Sequence, residues 1–116
     1  MNKKLFILFA LAFVLVFVSF PQIQKVQSQT TIYIRFDGTV EGTDKIQKDG
    51  DLNRFVLLDN VVNQSIIIER TMRTFDGNGF SIQGYGNGTG ISLNGRGTIK
   101  NLTVTGFQTG ILVVGG

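Results

Sequence analysis

The feature that most narrows what this chain can fold into is a match of the sequence to itself. Laid over each other, FSIQGY (residues 80–85) and LTVTGF (102–107) place Phe80 on Leu102, Ile82 on Val104, Gly84 on Gly106 and Tyr85 on Phe107, all at an offset of 22. Polar Ser81 and Gln83 fall on polar Thr103 and Thr105. The match resumes at an offset of 20, where TGISL (89–93) lies on TGILV (109–113), so only the connecting turn changes length. Apolar and polar residues alternate within these segments, the period of a half-buried strand. A fixed period of about 20 in strand-like sequence marks a solenoid, in which no coil buries its inner face alone. Phe80, Ile82, Ile91 and Leu93 are then expected to point inward, with Leu102, Val104, Ile111 and Val113 on them one strand spacing away, about 4.8 Å.

The rest of the sequence fits strands separated by corners. TIYIR (31–35) alternates, the polar stretch 37–53 reads as loop or capping structure, and short apolar pieces follow at 55–58, 66–68, 80–82, 91–93, 102–104 and 111–114. None is long enough for a helix. The seven glycines of TFDGNGFSIQGYGNGTGISLNG (74–95) fall between strands, where tight corners need positive φ or no side chain. An antiparallel β-sandwich is the competing all-β arrangement, but it gives no reason for Gly-aromatic and Thr-Gly to recur at matched places. The expected fold is all-β, a parallel β-helix with an N-terminal cap and about two coils.

Residues 1–28 read as an address label. Asn2, Lys3 and Lys4 precede an apolar run at 5–20 that Pro21 ends, and Val26 and Ser28 have the small-residue spacing a signal peptidase reads, with cleavage before Gln29. An uncleaved membrane anchor is the alternative, although a span needs about 20 apolar residues. No cysteine follows the run, which excludes a lipid-anchored lipoprotein. Removing Lys3, Lys4 and Lys25 leaves eight basic residues against eight acidic ones, so the basic excess belongs to the label and a nucleic-acid surface is excluded. With no disulfide available, the part after residue 28 must be stabilised by efficient stacking, by further chain or by a partner. The expected organisation is a signal peptide at 1–28, an N-terminal strand and capping segment at 29–64, and coils at 65–116.

On three strings the chain resembles a known family. YIRFDGTVEGTDKIQKDGD (33–51) resembles the opening segment of many archaeal members of the secreted right-handed parallel β-helix proteins of pectate-lyase-like architecture, in particular the NosD-like group. FDGNGFSIQGYGNGTGISL (75–93) and TIKNLTVTGFQTGILV (98–113) resemble its first and second coils. The resemblance implies a right-handed coil, an extracellular or cell-surface location and an affinity for polysaccharide. Members usually carry more coils, so it also implies an N-terminal fragment or a short member. Independently of the resemblance, two coils fall short of the roughly three repeats a solenoid usually needs, so residues 29–116 alone are expected to be marginally stable or to associate through the open C-terminal edge.

Copper delivery, a role of some relatives, fails on the ligands, because residues 29–116 contain no His or Cys and a single Met, Met72. GYGNGTG fits neither phosphate-binding glycine register, and no helix follows it. Asp49, Asp51 and Asn53 open like a calcium loop, but Arg54 and Asn60 stand where its Gly and Glu belong, so a solvated acidic turn is expected. Asp37, Glu41 and Asp44 offer only an irregular calcium site. Polysaccharide cleavage needs a carboxylate pair or a basic residue on one face, and residues 74–116 carry only Asp76, Arg96 and Lys100 as charges. Asp76, before Gly77, is expected to cap its own turn.

The expected role is therefore a non-enzymatic structural or carbohydrate-binding module without cofactor. The alternative is the first part of a carbohydrate-active enzyme whose catalytic residues lie on other coils. Ser81, Gln83, Thr103 and Thr105 form the candidate ligand face, although plain solvation explains the same residues. Asn63, Asn87 and Asn101 each begin N-x-[ST] and are candidate glycosylation sites, Asn87 first among them because it falls in a turn.

Overall fold

The computed structural model describes residues 29–50 and 53–115, so the expected export segment at 1–28 lies outside the described residues. Twelve short strands and no helix occur within them. These are β1 (Thr30–Ile34), β2 (Val40–Glu41), β3 (Ile46–Asp49), β4 (Arg54–Leu57), β5 (Val61–Val62), β6 (Gln64–Ile68), β7 (Thr74–Asp76), β8 (Ser81–Gln83), β9 (Thr89–Leu93), β10 (Thr98–Lys100), β11 (Thr103–Thr105) and β12 (Thr109–Val113). They are rich in β-branched residues and alternate in burial; in β4, for example, Phe55 and Leu57 are buried while Arg54 and Val56 are half-exposed.

The strands form three sheets, ordered β12-β9-β6-β1-β2, β10-β7-β4-β3 and β11-β8-β5. From β4 onward the chain visits the four-, three- and five-stranded sheets in that rotation, three times over. Each strand of the second and third rounds lies parallel to its counterpart one round earlier. Parallel neighbours cannot be joined by a tight hairpin, and here the connection runs through the other two sheets.

The register follows the self-match residue for residue. Ser81, Ile82 and Gln83 pair with Thr103, Val104 and Thr105, while Ile91 and Leu93 pair with Ile111 and Val113. Parallel pairing starts earlier than residue 65, because β4 and β5 already lie beside β7 and β8, and β1 lies beside β6. The segment 29–64 therefore contributes strands to the parallel ladders as well as two antiparallel edge strands. One of these, β2, folds back on β1 through a turn closed by Arg35 and Thr39, and β3 pairs with β4.

Stacked like residues build the core. Ile32, Ile66, Ile91 and Ile111 form one column across four strands, Ile34, Ile68, Leu93 and Val113 a second, and Val61, Ile82 and Val104 a third. Phe55 and Phe75 stack likewise, with Ile99 next. Buried aliphatic and aromatic side chains of this kind are worth about 1.5–3 kcal/mol each, and among the described residues no polar side chain is buried with them.

Two inward expectations are modified. Phe80 is only half-buried, packed on the margin of the core, and the last-round residues Ile111 and Val113 keep the register but are 45% and 62% exposed. Nothing among the described residues stacks beyond β12.

The repeated glycine has a steric cause. Gly106 has φ +74°, and a Cβ there would fall well inside contact distance of the Gly84 carbonyl oxygen in the round below. A Cβ on Gly84 would in turn stand 2.6 Å from the Phe107 ring. The last round thus seats its corner and the Phe107 ring on Gly84, which accounts for glycine at both 84 and 106.

Candidate ligand face

The four polar residues singled out from the sequence come together on the outer face of the three-stranded sheet. Ile82 and Val104 point to the core, so Ser81, Gln83, Thr103 and Thr105 point away from it. Register places Ser81 beside Thr103 and Gln83 beside Thr105, at a strand spacing of about 4.8 Å. Gln83, Thr103 and Thr105 are exposed and Ser81 is half-buried.

The face extends one strand further than the repeat indicated. Val61 pairs with Ile82, which puts Asn60 in the Ser81–Thr103 column and Val62 in the Gln83–Thr105 column. Asn60 Oδ1 accepts hydrogen bonds from the Ser81 backbone N–H at 3.0 Å and from its hydroxyl at 3.2 Å. Asn60 was not legible beforehand because the self-match covers two rounds and Asn60 belongs to an earlier one; a search at an offset of 21 aligns it with Ser81. Past the end of β8, Tyr85 is 65% exposed. The face thus combines amides and hydroxyls with one exposed apolar side chain, Val62, and has no charged side chain in its columns.

The acceptor asparagines occupy three different settings. Asn87 is exposed in the Gly86–Gly88 bend. Asn101 is exposed at a corner with φ 54°, and its amide donates to Asp76 Oδ1 at 3.2 Å, so it reaches a carboxylate rather than backbone groups. Asn63 is half-buried with φ 55°, and its N–H donates to the Gln83 carbonyl at 2.7 Å. At Asn63 and Asn101 positive φ favours Asn on conformational grounds.

The carboxylates are committed to local structure. Asp76 Oδ1 accepts from the Asn78 N–H at 2.8 Å, the expected turn cap, and that bond, with the Asn101 amide, holds the Asp76 pKa below the usual range. Asp37 is lowered likewise by the Thr39 hydroxyl and N–H. Glu41 and Glu69 both bind Arg35, at 2.8 Å and 2.9 Å, and the Arg35 guanidinium lies 4.0 Å from the centre of the Tyr33 ring.

Asp49 stands opposite Arg54 in the β3–β4 register, Asn53 Oδ1 accepts from Arg70 Nη2 at 2.6 Å, and Asp51 lies outside the described residues. Among the described residues no three metal-ligating side chains converge.

Compared with protein-family models, with curated proteins and with solved structures, the chain matches none.

Proposed function

We propose that this chain is a secreted or cell-surface module built as a right-handed parallel β-helix of the NosD-like, pectate-lyase-like kind, and that it binds polysaccharide without cleaving it. The single observation that carries the binding reading is the outer face of the three-stranded sheet. Its in-register Asn60–Ser81–Thr103 and Gln83–Thr105 positions present donors and acceptors at a fixed repeat, with Val62 exposed next to Gln83 and Tyr85 exposed just past the end of β8. Sugar hydroxyls are recognised by such neutral donor–acceptor groups, and sugar rings pack on aromatic faces. The helical reading is supported by the threefold rotation of the chain through its sheets and by the in-register columns. In the same reading residues 1–28 direct export and are removed before Gln29, and Asn87 and Asn101 are the glycosylation acceptors in a host that modifies them.

The test is retention of the purified chain on immobilised neutral and acidic polysaccharides, with release of reducing or unsaturated ends followed in parallel. Retention without product release is the expected result, and Gln83→Ala with Thr105→Val should weaken it at least about tenfold, the loss of a few hydrogen bonds. No retention on any polysaccharide refutes the binding reading. Sustained product release favours the carbohydrate-active enzyme instead.

A further inference from the structure

Three asparagines stand directly before glycine, at 78–79, 87–88 and 94–95. Asparagine is among the thermally labile residues. Glycine after it makes it more so, because a nitrogen with no side chain beside it and a freely rotating backbone can reach the asparagine amide. The fold treats the three pairs differently. At Asn78–Gly79 the attacking nitrogen is held: Gly79 N–H donates to the Asn101 carbonyl at 2.9 Å. Asn78 N–H donates to Asp76 Oδ1 at 2.8 Å and Phe80 N–H to the Gly77 carbonyl at 2.9 Å, so the whole turn is fixed. Asn94–Gly95 is pinned to the earlier round. Asn94 N–H donates to the Ile68 carbonyl at 2.8 Å and Arg96 N–H to the Thr71 hydroxyl at 3.3 Å. Gly95 between them is half-buried, and a Cβ on it would stand 2.7 Å from the Thr71 nitrogen, which leaves the peptide no room to turn.

Asn87–Gly88 lacks both restraints. Gly86, Asn87 and Gly88 are all exposed, and no described residue accepts a hydrogen bond from the Gly88 N–H. A Cβ on Gly86 would meet nothing within 4 Å, and one on Gly88 would meet first the flexible side chain of Gln29. The bend is anchored at its margins, by Gly86 N–H to the Gly106 carbonyl at 2.5 Å and by Thr109 N–H to the Gly88 carbonyl at 3.0 Å. We propose that Asn87 is a self-modification site, which loses its side-chain amide to its own backbone in the folded protein. The Gly88 nitrogen attacks Asn87 Cγ and closes a succinimide ring. The Cγ–Nδ2 bond breaks, and the proton given up by the Gly88 N–H leaves with Nδ2 as ammonia. Water then opens the ring at either carbonyl, which puts an aspartyl or an isoaspartyl residue at position 87. Either product adds a negative charge and removes the N-x-[ST] acceptor, so amide loss and glycosylation exclude each other here. The isoaspartyl product also lengthens the backbone between the two bonds that anchor the bend. No ligand or partner takes part.

The test is incubation of the unglycosylated full chain in mildly alkaline buffer at physiological temperature. Peptide-map mass spectrometry locates each amide-to-acid mass gain, and labelling by an isoaspartyl methyltransferase measures the rearranged product. Asn87 should lose its amide about tenfold faster than Asn78 or Asn94, the equivalent of one hydrogen bond that must first be broken. Isoaspartate should appear with it, since the ring opens at both carbonyls. In denaturant the three rates should converge, because all three pairs are then the same dipeptide in open chain. First loss at Asn78 or Asn94, equal rates in the folded chain, or an Asn87 that keeps its amide overturns the proposal. Acid at position 87 without isoaspartate overturns the backbone attack in favour of direct hydrolysis. A lead for Asn87 that persists undiminished in denaturant overturns the fold as its cause.

Discussion

At Gly106 the fold tolerates one residue type. Any other side chain must adopt φ +74° and also displace the Gly84 carbonyl, so Gly106→Ala should cost more than about 3 kcal/mol or prevent folding. Gly86 has a similar φ of +96° but open space around it, and Gly86→Ala should cost about 1 kcal/mol. Urea midpoints of the two variants separate backbone strain from collision. The lowered carboxylates give a second test. A group whose folded pKa is depressed contributes stability above its unfolded pKa, about 3.9 for Asp, and loses it as pH falls through the folded value. Stability should therefore be level above about pH 5 and decline below pH 4. Asp76→Asn, which keeps an acceptor for the Asn78 N–H, should make that decline shallower; an unchanged profile from pH 2 to 6 counts against a role for Asp76.

For the strands, cost should follow position in the column. Ile66 is fully buried between Ile32 and Ile91, and Ile66→Ala should cost about 3 kcal/mol. Ile99, half-buried beside Phe75 on the outermost strand, should cost about half as much when cut to Ala, by the same chemical denaturation.

Legibility also followed position. The pairs β8–β11 and β9–β12 could be read from the sequence because both rounds carry the same residue types at the same places. The β7–β10 pair could not, since Thr74, Phe75 and Asp76 share only threonine with Thr98, Ile99 and Lys100 at an offset of 24. The earlier round was hidden for the same reason: its turn lengths move the offsets to 20, 21 and 25, and Arg54–Leu57 shares only its phenylalanine with Thr74–Asp76. The antiparallel edge strands are short and polar, and nothing in their composition separates them from loop. Of the candidate face, Ser81, Gln83, Thr103 and Thr105 were legible, and Asn60 was not.

Over the whole molecule, stability should be graded rather than uniform. Rounds of a stack contact only their neighbours, so protection falls toward an end that has none. Amide hydrogen exchange should be slowest in β6 and β9, flanked on both sides, and faster in the edge strands β2, β3 and β12. Uniform protection across all rounds would contradict the nearest-neighbour picture.

The antiparallel pairs β1–β2 and β3–β4 also have a consequence for how the chain is made. Apart from β1, which waits for β6, each strand from β7 onward finds its partner 20 to 25 residues back along the chain, already emerged when a ribosome or translocon delivers it. Short sequence separations close quickly. The order of synthesis therefore matches the order of stacking: the hairpins at 30–57 are laid down first as a seed, and each later round is threaded onto a finished one. Cutting after Asn94 should remove one round and leave the rest able to assemble, whereas deleting residues 30–50 takes away the seed on which every later round is templated.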